Sequence, residues 1–245
     1  MSADSPPTEL VLLHGFTNTG ASWDGVVAGL PATFNAHAPD IRGHGSASGA
    51  RPVSLEAVLA EIDALAPARF ALAGYSQGGR IALHAALALR ERVERLLLIG
   101  ASPGLADPVA RAQRRAADEA LAAWTETVPI EEFVSRWSST PVLADQPPEV
   151  RAAVTADRLR NTPEGLAAAL RGLGTGTLPS LWDRLSEITM PVELIVGERD
   201  VKFRATAQEM AAALPDARLH VVPGAGHAVH LEDPWAVAGL IVSTS

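Results

Sequence analysis

Cysteine is absent from the 245-residue chain, which excludes disulfide bonds, thiolate metal ligands and a cysteine nucleophile. No apolar run approaches the roughly 18 residues that a membrane-spanning helix needs. The first eight residues are polar and contain proline, without the basic and apolar regions of a signal peptide. These features predict a cytoplasmic protein without a membrane span.

Positive charge is in the minority, with 20 lysines and arginines against 28 acidic residues and a formal net charge of −8. This balance argues against nucleic acid or an anionic membrane surface as a general partner, because both are polyanions. An acidic chain can still carry a local cluster of positive side chains. The length and the 47% hydrophobic content suit one sizeable core, with or without an inserted subdomain.

Short apolar runs alternate with helical patterns along most of the chain. The runs predict buried strands at residues 10–13, 36–38, 70–73, 93–99, 192–196 and 219–222. Helices are predicted at residues 55–65 with Ser54 as N-cap, and at 80–89, 205–214 and 235–242. The alternation predicts an α/β fold with a mostly parallel sheet flanked by helices.

Residues 103–185 break this rhythm, because they show helical patterns at 109–124, 130–137, 149–159 and 163–173 and no convincing strand. A helical insertion near the carboxyl ends of sheet strands is typical of a cap over a site. The predicted organisation is therefore a core of residues 1–102 and 186–245, with residues 103–185 inserted as a helical cap.

The segment Gly74-Tyr75-Ser76-Gln77-Gly78 fits the G-x-S-x-G pattern of a nucleophile elbow. The pattern by itself occurs by chance, and a helix N-cap serine in a glycine-rich turn is the structural alternative. Here the segment follows an apolar strand and precedes a helix, which is the context that the elbow requires. The sequence therefore favours Ser76 as the nucleophile of an α/β-hydrolase fold.

Two further residues complete the order Ser…Asp…His that this fold uses. Asp200 and His227 each follow a predicted strand, so we expect His227 as general base and Asp200 as the group that fixes its tautomer. The alternatives are an acid that caps the next helix and a histidine satisfied by backbone. The backbone amides of Phe16 and Gln77 are the predicted oxyanion hole.

Four segments resemble the MenH family: residues 14–20 with Trp23, and residues 74–80, 197–203 and 226–232. This family comprises the 2-succinyl-6-hydroxy-2,4-cyclohexadiene-1-carboxylate synthases of menaquinone biosynthesis. The likeness extends into the predicted cap and covers nearly the whole chain. It departs after Phe16, where Thr17-Asn18 replaces the apolar residue and glycine that members often carry, and this affects the oxyanion side of the pocket.

The resemblance implies an α/β-hydrolase fold and a lyase that eliminates pyruvate from 2-succinyl-5-enolpyruvoyl-6-hydroxy-3-cyclohexene-1-carboxylate. It also implies that the triad acts as a base, that the small-molecule substrate is a polycarboxylate, and that neither a metal nor an organic cofactor is needed. The substrate-binding residues that it implies are Arg80, Arg114, Arg160, Lys202, Tyr75 and Trp137.

The basic residues agree with an anionic substrate. Arg80 lies in the first turn after the elbow and Lys202 lies two residues after Asp200, and unpaired charge in a cleft is costly unless a ligand uses it. The cap residues alone are ambiguous. Arg114 also suits a solvated face with Asp118 as its i,i+4 partner, and Trp137 also suits the core.

Three alternatives remain open at this level. A carboxylesterase or C–C bond hydrolase on the same scaffold would use Ser76 to form an acyl-enzyme. A non-catalytic binding protein would have no need for an intact Ser76, Asp200 and His227. His14 and His44 suggest metal ligands, but both lie in glycine turns without ligand spacing, so structural hydrogen bonding is favoured.

Overall fold

The computed structural model describes residues 6–140, 143 and 146–243. Most of residues 1–8, from which we predicted that there is no signal peptide, lies outside these ranges. Six strands form one parallel sheet in the order β2-β1-β3-β4-β5-β6. The strands are β1 Thr8–Leu13, β2 Phe34–His37, β3 Phe70–Tyr75, β4 Val93–Ile99, β5 Val192–Gly197 and β6 Ala217–Val222. The predicted parallel α/β sheet is confirmed.

Helices cover both faces of the sheet because successive strand residues point to opposite sides. Val11 and Leu13 of β1 belong to one buried cluster, whereas Leu10 and Leu12 belong to the other. The helices outside the predicted cap are α1 Asp24–Ala28, α2 Leu55–Leu65, α3 Gln77–Ala88, α8 Val201–Ala213, α9 Val229–Glu232 and α10 Pro234–Ser243. The sheet therefore has two apolar layers, which explains its nearly continuous hydrophobic strands.

Helix α2 begins as predicted, because the Ser54 side chain accepts a hydrogen bond from the Ala57 amide. Helix α3 begins three residues earlier than its sequence pattern indicates. Gly78 lies in its first turn although glycine is a poor helix former. A Cβ atom there would lie 2.2 Å from the Leu13 carbonyl oxygen, so the close packing of α3 against β1 requires glycine at this position.

In the described part of the segment between β4 and β5 there are four α-helices, namely α4 Pro108–Thr125, α5 Ile130–Ser138, α6 Pro148–Arg158 and α7 Pro163–Leu173. Their bounds agree with the four predicted helices to within two residues. Phe16, in the loop after β1, packs against the cluster of Ala122, Ala167 and Leu170 and against Phe133 of this layer. A close approach of Gly43 to Gly165 adds a second contact with the core. That residues 103–185 form an inserted helical cap stays a prediction.

Among the residues that the structure describes, no helix is both long and apolar enough to cross a membrane.

Candidate active site

Ser76 occupies the sharp turn between β3 and α3. Its backbone has φ 51° and ψ −107°, a conformation that an L-residue adopts only at the cost of strain. The turn needs small neighbours, since a Cβ atom at Gly74 would lie 2.5 Å from the Gly78 carbonyl oxygen. The Ser76 amide donates to Ile99 O at 2.9 Å. This strand–turn–helix geometry presents the serine to a cavity above the sheet.

His227 and Asp200 lie beside Ser76 in a chain of hydrogen bonds. His227 Nδ1 is 2.6 Å from Asp200 Oδ2, and His227 Nε2 is 3.3 Å from Ser76 Oγ. Both side chains are buried. Asp200 also caps α8, because its Oδ1 accepts a hydrogen bond from the Phe203 amide at 3.2 Å. Asp200 therefore both binds His227 and caps the next helix, which the sequence analysis treated as alternatives. The geometry suits proton transfer from the serine to the imidazole.

Glu232 holds the loop that carries His227, and the sequence analysis did not single it out. Its carboxylate accepts hydrogen bonds from the amides of Gly226 at 2.7 Å and Ala228 at 3.2 Å. Arg199, the residue before Asp200, also binds Glu232 at 2.9 Å. The buried carboxylate thus joins the loops of both His227 and Asp200. The only signal in the sequence is its position five residues after the histidine.

Phe16 and Gln77, whose amides form the predicted oxyanion hole, lie at the same cavity as Ser76. Both residues line the cavity, and in the described part of the chain neither backbone amide donates to a protein acceptor. The turn after Phe16 is closed by a hydrogen bond from the Asn18 amide to Gly15 O at 3.1 Å. Two unpaired amides near a serine are the components that an oxyanion hole needs.

A cavity of about 660 Å³ lies between the carboxyl edge of the sheet and helices α4–α7. This volume lies within the range typical of small-molecule sites. It brings together nine of the eleven predicted site residues: Phe16, Tyr75, Ser76, Gln77, Arg80, Arg114, Trp137, Lys202 and His227. Asp200 lies behind His227, and Arg160 is not at the cavity.

Arg80 is a buried cation. Its side chain lies in the first turn of α3, the residue is 7% exposed, and its Nε has no hydrogen-bond partner among the described residues. Burial, followed by the nearby Arg114, lowers the pKa of Arg80 to about 10, although Asp118 opposes the shift. The guanidinium is still charged at neutral pH. A buried, incompletely paired cation that faces a cavity is poised for an anionic ligand.

The structure does not bring Arg160 to the cavity, and Arg158 lies there instead. Arg160 follows the end of α6 and its side chain is exposed. Arg158 is the last residue of α6, is 2% exposed and lines the cavity. It lies four residues after the buried Val154, so it continues the buried face of the helix. Burial lowers the pKa of Arg158.

Arg114 and Lys202 form the more open side of the cavity. Arg114 lines it while its Nε donates to Asp118 Oδ1 at 2.7 Å, so the residue keeps the predicted i,i+4 partner. Arg115 points elsewhere, towards Gly176 O. Lys202 is exposed but lines the cavity, with Nζ 5.4 Å from the centre of a neighbouring aromatic ring. Four cations, Arg80, Arg114, Arg158 and Lys202, therefore face one cavity.

Aromatic side chains supply the apolar wall. Trp137 lies edge-on to Phe16 with ring centres 5.1 Å apart and stacks on Phe133 at 6.0 Å. Tyr75 is buried beside His227 with ring centres 5.2 Å apart. Burial raises the pKa of Tyr75, so its hydroxyl stays protonated and can donate to a ligand.

His14 and His44 form structural hydrogen bonds, as predicted. His14 Nδ1 donates to Gly15 O at 2.9 Å and its Nε2 accepts from the Ile41 amide at 2.9 Å. His44 Nδ1 donates to Ile41 O at 3.3 Å. These contacts hold the loops that follow β1 and β2.

Comparison with known proteins agrees with this geometry. A family model described as the alpha/beta hydrolase family matches residues 10–239, so the chain is an α/β hydrolase by fold and sequence. A putative 2-succinyl-6-hydroxy-2,4-cyclohexadiene-1-carboxylate synthase from Bacillus subtilis is 41% identical, over 96% of this chain and 88% of the relative. The synthase of Salmonella schwarzengrund is 36% identical, over 93% and 90%.

The solved structure of MenH from S. aureus matches with a TM-score of 0.92 and 29% identity, covering 99% of this chain and 94% of that one. The chain belongs to the MenH family of 2-succinyl-6-hydroxy-2,4-cyclohexadiene-1-carboxylate synthases. The resemblance found in the sequence is thereby confirmed.

Proposed function

We propose that this chain is a lyase of menaquinone biosynthesis that eliminates pyruvate from 2-succinyl-5-enolpyruvoyl-6-hydroxy-3-cyclohexene-1-carboxylate. The product is 2-succinyl-6-hydroxy-2,4-cyclohexadiene-1-carboxylate, the compound named in its relatives. One observation of the site carries the proposal beyond family membership: the buried Arg80, without a partner at Nε, faces the same cavity as Ser76. A hydrolase of neutral esters has no use for this cation.

In this reaction Ser76 and His227 act together as a base. His227 takes the Ser76 proton, and the serine oxygen removes a ring proton made acidic by the succinyl carbonyl. The resulting oxyanion binds the Phe16 and Gln77 amides. The electron pair then forms a ring double bond, the C–O bond to the enolpyruvoyl group breaks, and pyruvate leaves as its enolate, which takes up the proton. No acyl-enzyme forms and no water is consumed.

The four cations of the cavity are sufficient to form ion pairs with the three carboxylates of the substrate. Arg80 and Arg158 are buried and suit bidentate binding of carboxylates, whereas Arg114 and Lys202 are more exposed and complete the charge at the opening. Tyr75 and Trp137 line the same cavity, and we assign them to contacts with the ring and its substituents. Residues 103–185 act as the cap that excludes water.

Acyl-enzyme hydrolysis is the second candidate. A thermophilic esterase from Thermogutta terrifontis superposes with a TM-score of 0.81 at 25% identity, covering 98% of this chain and 90% of that one. Its fold shows that the scaffold also supports ester cleavage. The cations of this cavity favour the lyase, because burying them against an apolar acyl group would be costly.

A coupled assay of pyruvate release separates the two candidates. Wild-type protein is incubated with the enolpyruvoyl substrate and, separately, with a panel of simple activated esters. We expect pyruvate release, with a loss of about 10⁴-fold in Ser76→Ala. Ester turnover with an initial burst and no pyruvate release would instead establish the hydrolase. No added metal or cofactor is required in this account, and a cytoplasmic location stays a prediction.

A further inference from the structure

The loop that carries the Phe16 amide is held from outside the sheet by the end of α6. Asp157 lies in the last turn of α6, and its Oδ2 accepts hydrogen bonds from the Thr19 amide at 2.9 Å and from Asn18 Nδ2 at 3.3 Å. Its Oδ1 accepts from the Thr19 hydroxyl. One partly buried carboxylate thus binds both residues after Thr17, and hydrogen bonds to an ionised acceptor are the stronger kind.

Asn161 holds the same loop from a second position. Its Nδ2 donates to Thr17 O at 2.8 Å and to Arg158 O at 2.9 Å. Its Oδ1 accepts from the Gly45 amide at 2.9 Å, in the loop after β2. Asn161 is 4% exposed, so these bonds are shielded from water. The end of α6 is therefore joined to two core loops by side chains that the sequence analysis did not single out.

The loop needs such support because its backbone is strained. Thr17 has φ +72°, in the left-handed region that a β-branched residue rarely adopts. Strained residues persist where their surroundings over-determine them. Here the surroundings are Arg158 Nε, which donates to the Thr17 hydroxyl at 3.2 Å, and the Asn161 bond to the Thr17 carbonyl. Phe16 and Thr17 are the two central residues of the turn that the Asn18 amide closes on Gly15 O at 3.1 Å, so a change in the Thr17 backbone would displace the Phe16 amide as well.

We propose that Asp157 and Asn161 are positioning residues that set the Phe16 amide of the oxyanion hole. Neither lines the cavity, so they act through the loop. The oxyanion hole is complete only while α6 is seated on residues 17–19, which couples closure of the cap to stabilisation of the reacting oxygen. This inference rests on the proposed function, because it assigns the lyase a developing oxyanion at Phe16.

The test compares Asp157→Ala, Asp157→Asn, Asn161→Ala and a matched control, Glu164→Ala. Glu164 is an exposed carboxylate in the first turn of α7, so its removal changes the charge of the same helical layer equally. For each variant we measure kcat and KM for pyruvate release and the midpoint of thermal unfolding. The rate of Ser76 labelling by a fluorophosphonate gives a second readout, because the phosphoryl oxygen occupies the oxyanion hole without needing the arginines.

Loss of a whole oxyanion donor costs about 10²–10³-fold in kcat, so a misplaced one should cost about tenfold or more. We expect Asp157→Ala and Asn161→Ala to lower kcat and the labelling rate by this factor, with a smaller change in KM. Asp157→Asn keeps an acceptor for the Thr19 amide and should recover most of the activity, and Glu164→Ala should match the wild type.

Two results overturn the inference. In the first, Asp157→Ala unfolds at a lower temperature but keeps the wild-type kcat and labelling rate, which shows a purely structural contact. In the second, both alanine variants raise KM with kcat unchanged. Failure of the proposed function looks different, because the wild type would then release no pyruvate while the Asp157 variants still showed slower labelling of Ser76.

Discussion

Replacing Arg80 with methionine should make the protein more stable and less active at the same time. Burial and, to a smaller extent, the charge of Arg114 lower the pKa of Arg80 to about 10. A cation whose pKa is lower in the folded state destabilises the fold at every pH below that value, so the full cost is present at pH 7. One pKa unit corresponds to about 1.4 kcal/mol, which gives a cost of about 3 kcal/mol.

Methionine has a similar reach but no charge, so Arg80→Met should raise the free energy of unfolding by up to about 3 kcal/mol. Truncating one partner of a buried charge pair typically costs 2–5 kcal/mol in binding. The same variant should therefore lower kcat/KM for pyruvate release by about 30-fold or more. Urea unfolding at pH 7 measures the first change, and the coupled assay measures the second.

The matched control is Arg160→Met, which removes an exposed arginine outside the cavity and should change neither quantity appreciably. Product added at saturating concentration should raise the unfolding midpoint of the wild type more than that of Arg80→Met, because a ligand stabilises only the state that binds it. If Arg80→Met were less stable than the wild type and retained its kcat/KM, the reasoning about this cation would be refuted.

Three further predictions follow from other contacts. Arg158→Ala should raise KM about tenfold or more, whereas Arg160→Ala should leave it unchanged; equal effects in steady-state kinetics would contradict the assignment. Burial lowers the pKa of His230 to about 3 and neither ring nitrogen has a described partner. In the unfolded chain His230 takes up a proton as pH falls below about 6.5, whereas in the folded protein it stays neutral, so acid favours unfolding. His230→Phe should therefore reduce the stability lost between pH 7 and 5 by about 2 kcal/mol; an unchanged pH dependence of urea unfolding would refute this. Glu232→Ala leaves two backbone amides beside His227 without a hydrogen-bond acceptor. It should lower the free energy of unfolding by about 2 kcal/mol and should also lower kcat. A loss of stability with unchanged kcat would argue against a role in orienting the histidine.

The strands were predictable because their signal is local. A strand buried on both faces, such as β3 Phe70–Tyr75, is a continuous apolar run that follows a polar residue, so its start can be read directly. The start of α3 was not predictable in this way. Helix propensity argues against Gly78 in a first turn. Glycine is required there because a Cβ atom would lie only 2.2 Å from the Leu13 carbonyl oxygen, and that neighbour is distant in sequence.

The site was predictable where chemistry is tied to a motif. Ser76, Arg80 and Lys202 are fixed by the turns that contain them, so their places at the cavity follow from the fold. The position of Arg160 outside the cavity was not predictable in this way, because the direction of a side chain near a helix end depends on which face the helix buries. The spacing from Val154 to Arg158 carried that signal.

Contacts such as Asp157 with residues 18 and 19 join segments about 138 residues apart. No local pattern in the sequence marks them.

The central claim is that Ser76 serves as a base that removes a ring proton, and an isotope measurement tests it most directly. Substrate deuterated at that ring position is mixed with excess enzyme, and pyruvate is followed through a single turnover. The account predicts slower pyruvate release from the deuterated substrate, and no acyl group on Ser76 in the quenched protein. Equal rates together with a covalent Ser76 adduct would contradict it.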